Sequence, residues 1–132
     1  MAGLGDSMVA AVLRADDLAR AKKFYSEVLG LAYGPQNGPS GGAMFMAGSG
    51  TALVIYERPG MPAPESTVLG FNVAADRFGP LMAELRGKGV VFEEYDIPEM
   101  GLKTVDGVAM MDGMKAAWFK DPEGNIINIA VM

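Results

Sequence analysis

Two blocks of this sequence repeat one pattern of apolar runs and turns, and no other feature constrains the fold as strongly. In each block a short apolar run precedes a segment with helical spacing of apolar residues, and further short apolar runs follow. The pairs Gly30-Leu31 and Gly89-Val90 lie 59 residues apart, and Leu13 and Phe71 lie 58 apart. The near-constant offset predicts a duplicated structural unit.

The first block predicts one helix among four strands. The run Met8–Ala15 is strand-like, Asp17 is a good N-terminal cap, and Gly30 suits the end of the helix that follows. The remaining short apolar runs predict three strands, Leu31–Tyr33, Ala43–Ala47 and Thr51–Tyr56.

The second block repeats this order. The run Thr67–Val73 predicts a strand, and a helical stripe follows at Phe78, Leu81, Met82 and Leu85. Three further strands are expected at Val90–Tyr95, Lys115–Lys120 and Ile126–Val131. The segment Asp96–Gly113 is long for a hairpin connection, so it is expected to form a lid or a binding loop.

Together the blocks predict an α+β fold of two tandem βαβββ modules, 8–57 and 67–132, within one domain spanning 1–132. Between them, residues 58–66 hold three prolines, which disfavour both helix and central strand and indicate a linker. Each module is expected to form a curved mixed sheet backed by its helix. Two such sheets facing one another would enclose a cavity, a common place for a ligand.

Two motifs in this sequence resemble signatures of the vicinal oxygen chelate superfamily. The superfamily includes glyoxalase I, bleomycin resistance proteins, fosfomycin resistance enzymes and extradiol dioxygenases. Asp17–Leu31 is similar to its first-helix signature, and Trp118–Ile127 is similar to its last hairpin. Within the second motif, Asp121–Asn125 has the composition of a tight turn, which gives these residues a structural role.

The chain contains no histidine and no cysteine, which are the commonest ligands of borderline metals. The resemblance implies that the family's metal ligands would fall on Ala10, Val54, Val68 and Asn128. Of these, only the asparagine has a donor side chain, a neutral carbonyl oxygen. We therefore expect no metal and no other cofactor. An unrelated all-oxygen site built from Glu57, Asp106 or Asp112 remains open.

Strand alternation selects candidate ligand-binding side chains, because residues of like parity share a face. Arg14 would share a face with Ala10, and Tyr56 with Val54. Phe45 and Trp118 are expected either to contact a ligand or to fill the core, and the asparagines are either pocket groups or satisfied core amides. The candidates are Arg14, Phe45, Tyr56, Asn72, Trp118 and Asn128.

These observations favour a protein that binds or sequesters a small, antibiotic-like, planar or cationic molecule, rather than an enzyme. The alternative is a metal-independent enzyme of lyase or isomerase type that uses Tyr56, Glu57 or Arg14 for acid-base chemistry. A protein with no small ligand is a third possibility.

Charge and hydropathy set the expected partners. The net charge of −5 argues against nucleic acid, which requires clustered basic residues. No apolar run is long enough to span a membrane, and the first residues lack a signal pattern, so a cytoplasmic protein is expected. The resemblance implies a homodimer.

Overall fold

The computed structural model of the protein describes residues 3–7, 9–34, 42–111 and 113–131. Its chain divides into two units, Met1–Met61 and Pro62–Met132. The division point lies within the segment 58–66. No helix in the described ranges has both the length and the apolar character that crossing a membrane would require.

The first unit has the order strand, helix and three strands. Its helix α1 (Leu18–Lys23) continues into a π-helical turn, Phe24–Val28. The strands form a sheet in the order β1-β4-β3-β2, in which only β1 and β4 are parallel. Their bounds are β1 (Ala10–Ala15), β2 (Ala32–Tyr33), β3 (Ala43–Ala47) and β4 (Thr51–Glu57). Met8, the predicted start of β1, lies outside the described residues.

Two carboxylates fix the beginning of α1. The predicted cap Asp17 accepts a hydrogen bond from the Arg20 backbone N–H at 3.1 Å. From the end of β4, Glu57 accepts a second bond from the Leu18 N–H at 3.0 Å. These bonds satisfy two of the four N–H groups that an α-helix leaves without intrahelical partners. Glu57 thereby ties the helix to the neighbouring strand.

The core of the first unit lies between α1 and one face of its sheet. Tyr25 and Phe45 are both fully buried, and their ring centroids are 6.0 Å apart. Leu13 and Ile55 are cross-strand partners on β1 and β4 and are also buried on this face. By alternation, Val12 and Val54 lie on the opposite face of the sheet.

The second unit has one long helix, α2 (Ala75–Gly87), and a six-stranded mixed sheet in the order β5-β10-β9-β8-β7-β6. Strand β5 is parallel to β10, and the other pairs are antiparallel. A turn of 3₁₀ helix, Pro98–Met100, follows β6. The strands are β5 (Thr67–Val73), β6 (Asp96–Ile97), β7 (Leu102–Val105), β8 (Val108–Met111), β9 (Met114–Lys120) and β10 (Ile126–Val131).

The α+β class with two mixed sheets is confirmed, but two predictions for the second unit are wrong. The segment 90–95 contains only an isolated bridge between Phe92 and Phe119 instead of a strand. The segment 96–113, expected to be a lid or loop, contains β6, β7 and β8. Its hairpin turns at Asp106-Gly107, where both residues have positive φ, 52° and 80°. That geometry is typical of a two-residue type I′ turn.

The turn between β9 and β10 is as tight as its sequence predicts. Asp121 Oδ1 accepts hydrogen bonds from the backbone N–H groups of Glu123, at 2.9 Å, and Asn125, at 2.8 Å. Gly124 has a φ of 87°, a conformation that side chains disfavour. Asp121, Glu123 and Asn125 are all buried. The Asp121 carboxylate therefore holds the turn together.

Candidate functional site

The four positions at which the resemblance places metal ligands lie on the parallel strand pair of each sheet, two on the edge strands β1 and β5 and two on their partners β4 and β10. Val54 lies opposite Val12 across the β1–β4 pair, and Asn128 lies opposite Gly70 and Trp118 on its two neighbouring strands. The Asn128 side-chain N–H donates to the Ala117 carbonyl at 3.5 Å, the outer limit of a hydrogen bond. Among the four positions, only Asn128 has a side-chain atom that could bind a metal ion, its amide oxygen.

The residues present do not fit a divalent metal ion at these positions, because three of the four side chains are hydrocarbon. Throughout the described part of the chain, no cluster of three or more Asp, Glu, His or Cys side chains could hold a metal. Of the acids considered for an all-oxygen site, Glu57 binds the N-terminus of α1 and Asp106 lies in the β7–β8 turn. Asp112 lies outside the described residues.

Arg14 and Tyr56 are brought together, as cross-strand partners at the ends of β1 and β4. Arg14 is a buried cation, and its guanidinium Nη2 lies 2.6 Å from Asp16 Oδ1. The hydrogen bond from Arg14 holds the pKa of Asp16 below its usual value of 3.8, and the Gly60 N–H, which donates to the same oxygen at 3.3 Å, acts in the same direction. The carboxylate of Asp16 is thus a fixed counter-ion for Arg14.

Phe45 lies on a different face from Arg14 and Tyr56. Its β3 position pairs with Leu53, whereas the neighbouring Met44 pairs with Val54. The Phe45 ring is fully buried and stacks on Tyr33, with ring centroids 5.0 Å apart. Its contacts are those of a core residue of the first unit.

The three remaining predicted residues lie in the second unit. Trp118 and Asn128 are direct partners on β9 and β10 and therefore share a face of the sheet. Asn72 is exposed and pairs with Ala130, two residues further along β10, so it shares this face too.

Trp118 lines a pocket of about 290 Å³ in the second unit. The Tyr95 ring meets the Trp118 ring edge to face, with centroids 5.6 Å apart and planes at 76°. This arrangement is favourable for aromatic pairs and leaves two differently oriented ring surfaces at the cavity. The pocket is lined by Glu65, Ser66, Thr67, Tyr95, Ile97, Met100, Leu102, Trp118 and Ile126.

Backbone and side-chain hydrogen bonds hold Tyr95 against this pocket. Its N–H donates to Thr104 Oγ1 at 2.7 Å, and its carbonyl accepts from the Thr104 N–H at 2.8 Å. The Thr104 hydroxyl donates to Glu94, which also accepts from the Gly107 N–H. The segment 90–95, whose backbone pairs with β9 through an isolated bridge and the bond from the Glu93 N–H to the Trp118 carbonyl, is thereby also attached to the β7–β8 hairpin.

The polar chemistry of the pocket is limited to hydroxyl groups and one carboxylate. Burial raises the pKa of the Tyr95 phenol above its usual 10.0, and the negative charge of Glu93 raises it further. At neutral pH the phenol therefore keeps its proton and can donate a hydrogen bond. It is a group suited to orienting a ligand, and it is a poor base.

Of the predicted site residues, only Trp118 lines this pocket. The other lining residues come from the segment 58–66, from the supposed strand 90–95, from the supposed lid, and from the first residues of β5 and β10. Ile97 and Leu102 are partners in the β6–β7 pair, which periodicity alone does not show. The Asp106-Gly107 dipeptide between two short apolar runs was the signal that could have revealed the β7–β8 hairpin, and with it the strand that carries Leu102.

Solved structures share this fold at low sequence identity, which shows the fold alone. A glyoxalase/dioxygenase from Nostoc punctiforme is 16% identical with a TM-score of 0.70, and the match covers 99% of this chain and 94% of that chain. Oxidase ChaP-H2 is 22% identical with a TM-score of 0.69, covering 96% and 93%. The fosfomycin resistance protein FosX from Listeria monocytogenes is 12% identical with a TM-score of 0.67, covering 96% and 90%.

The family of this chain is shown by a family model and not by individual relatives. No curated protein matches it significantly. The model of the Glyoxalase/Bleomycin resistance protein/Dioxygenase superfamily matches residues 7–129, a range that includes both signature motifs. The chain therefore belongs to the Glyoxalase/Bleomycin resistance protein/Dioxygenase superfamily.

Proposed function

We propose that this chain is a metal-independent member of the superfamily that binds and sequesters a small, flat, largely apolar molecule. The observation that carries the proposal is the pocket beside Trp118, which is lined mainly by apolar and aromatic side chains. A dry cavity of about 150 Å³ holds benzene. The pocket of about 290 Å³ is therefore large enough for a two-ring molecule.

The donor set supports a function without a metal. The superfamily's metal chemistry depends on an ion that polarises substrate oxygens. Ala10, Val54 and Val68 offer no atom that could bind one, and Asn128 offers one neutral oxygen. The neighbours of this fold include an oxidase, a glyoxalase/dioxygenase and a fosfomycin resistance protein, so the fold by itself does not select a chemistry.

The contacts of the charged candidates favour binding over the enzymatic alternative. Glu57 is engaged by the N-terminus of α1, and Arg14 is ion-paired with Asp16. A general base needs a free lone pair within reach of its substrate, and an activated nucleophile needs an adjacent base. Among the described residues that line the pocket beside Trp118, no side-chain nucleophile is hydrogen-bonded to a base, and the one carboxylate, Glu65, lies in an exposed segment.

Trp118 provides a direct test, because it is the only tryptophan of the chain and its fluorescence reports on this pocket. We expect 4-phenylbenzyl alcohol, a neutral two-ring probe, to change that fluorescence saturably. By calorimetry, Trp118→Ala should weaken binding about tenfold or more, because a ring contact and its buried area are lost. Trp118→Phe should retain most of the affinity.

Val105→Ala is the matched control, since Val105 is exposed on β7 and does not line the pocket. It should leave the probe's affinity unchanged. Circular dichroism and thermal unfolding of each variant separate loss of the pocket from loss of the fold. Equal binding by wild type and a folded Trp118→Ala variant would contradict the proposal.

A further inference from the structure

We infer that the pocket beside Trp118 selects an aromatic cation, a flat molecule that carries a protonated amine. The inference rests on the proposed function and adds the charge of the ligand. Glu65 is the only charged side chain among the described residues that line the pocket. It lies at the exposed rim, where the segment from the first unit enters β5.

The other polar side chains of the pocket match the same ligand. Ser66, Thr67 and Tyr95 contribute hydroxyl groups. An ammonium group has only donors, so it needs oxygen acceptors, and a carboxylate with nearby hydroxyls supplies them. The described lining residues include no lysine, arginine, asparagine or glutamine, whose side-chain N–H groups would favour an anion instead.

The aromatic walls favour a cation as well. Trp118 and Tyr95 present rings at 76° to one another, and cations are attracted to the faces of such rings. The basic residue beside this region on β9, Lys120, lies 3.6 Å from Glu93, so its charge is opposed locally. Lys103, the basic residue next to the lining residue Leu102, lies opposite Asp96 in the β6–β7 pair, so its charge is also opposed locally.

The size of the expected preference is modest. An ion pair at an exposed rim strengthens binding by about two- to fivefold. A cation against an aromatic face adds a similar factor. The amine should therefore bind about fivefold to twentyfold more tightly than a neutral molecule of the same shape.

Three probes with one biphenyl body test the inference: 4-phenylbenzylamine, 4-phenylbenzyl alcohol and 4-phenylbenzoate. Dissociation constants are measured by calorimetry on the full chain, with Trp118 fluorescence confirming occupancy of the pocket. The expected order is amine first, alcohol second and benzoate last. In Glu65→Gln the amine should lose the ion-pair part of its advantage, about two- to fivefold, while the alcohol should bind as it does to wild type.

Glu99→Gln is the control, since it makes the same change of net charge in the 3₁₀ turn without altering a lining residue. It should leave the preference for the amine intact. If amine and alcohol bind equally, or if both glutamate variants act alike, the inference is overturned and the proposed pocket stands. If no probe binds, the pocket itself is refuted and the inference fails with it.

Discussion

Arg14 in the first unit is a buried charge on a sheet face where strand alternation predicts ligand-binding side chains. Arg14 lies in the buried second half of β1, and Asp16 two residues later neutralises it. The alternation of β1 predicts the direction of Arg14 but not its partner, because Asp16 lies beyond the strand. The prediction that Arg14 contacts a ligand remains a prediction.

The ion pair between Arg14 and Asp16 predicts a pH-dependent stability. The folded pKa of Asp16 lies below the usual 3.8, so its contribution is fully present above that value and is lost as the pH falls through the folded value. Asp16→Asn should lower the melting temperature at neutral pH, and the difference from wild type should shrink in acid.

Thermal unfolding of wild type and Asp16→Asn across this pH range measures the effect. Asp6→Asn removes a different exposed carboxylate of the first unit and serves as the control for net charge. A difference between wild type and Asp16→Asn that stays constant from neutral pH to strong acid would contradict the account.

At the scale of elements, the sequence predicts regular strands and helices well and predicts the pocket walls poorly. Strands β4, β5 and β10 lie within a residue of their predicted bounds, because each is a dense apolar run. Leu102–Val105 and Val108–Met111 alternate in burial and are too short to stand out without their shared turn. The pocket depends on these weaker elements, so its lining could not be read from periodicity.

In the β7–β8 turn, the loss of stability on substitution of Asp106 should depend on which residue replaces it. Asp106 has a φ of 52°, which asparagine and glycine tolerate and β-branched residues do not. Asp106→Asn should therefore be nearly neutral, whereas Asp106→Val should lose about 1–2 kcal/mol of unfolding free energy. The hydrogen bond from Arg86 to the Asp106 carbonyl survives both changes, because it involves the backbone. Urea unfolding measures both variants, and equal stability of the two would rule out the assigned turn.

The β9–β10 turn is in contact with the segment that joins the two units. A Cβ atom at Gly124 would lie 2.9 Å from the Ala63 Cβ, and Gly124 also has a φ of 87°. Gly124→Ala should therefore cost about 2 kcal/mol, from the backbone conformation and from the collision together.

The double variant Ala63→Gly/Gly124→Ala separates the two causes. Removing the Ala63 methyl should restore about 1 kcal/mol relative to Gly124→Ala, while the backbone part of the loss remains. Denaturant unfolding of the two single variants and the double variant gives the coupling energy. Strictly additive effects would show that the two residues do not touch.

At the scale of the whole molecule, one topology is built twice from sequences that differ in detail. In each unit the first strand lies parallel to the last, and one helix connects the first strand to the rest of the sheet. The duplication is visible in the sequence because the helix ends repeat, at Gly30 and Gly89, with the same left-handed backbone. The second unit adds the β6–β7 pair, and with it the pocket.

Family membership is compatible with the proposed metal-independent function. The signature motifs build the helix start and the last hairpin, which are structural tasks. The metal positions are separate residues, and in this chain hydrocarbon side chains occupy three of them. Under the proposed function, the chain binds its ligand through the pocket beside Trp118 and without a metal.

Whether binding needs a metal is measured by calorimetric titration of chelator-treated protein with 4-phenylbenzyl alcohol, with a parallel titration in the presence of zinc or manganese. We expect saturable binding with the same dissociation constant in both conditions, because none of the lining side chains needs a metal to contact the probe. Binding that disappears with the chelator and returns with the metal would refute the proposed metal-independent function.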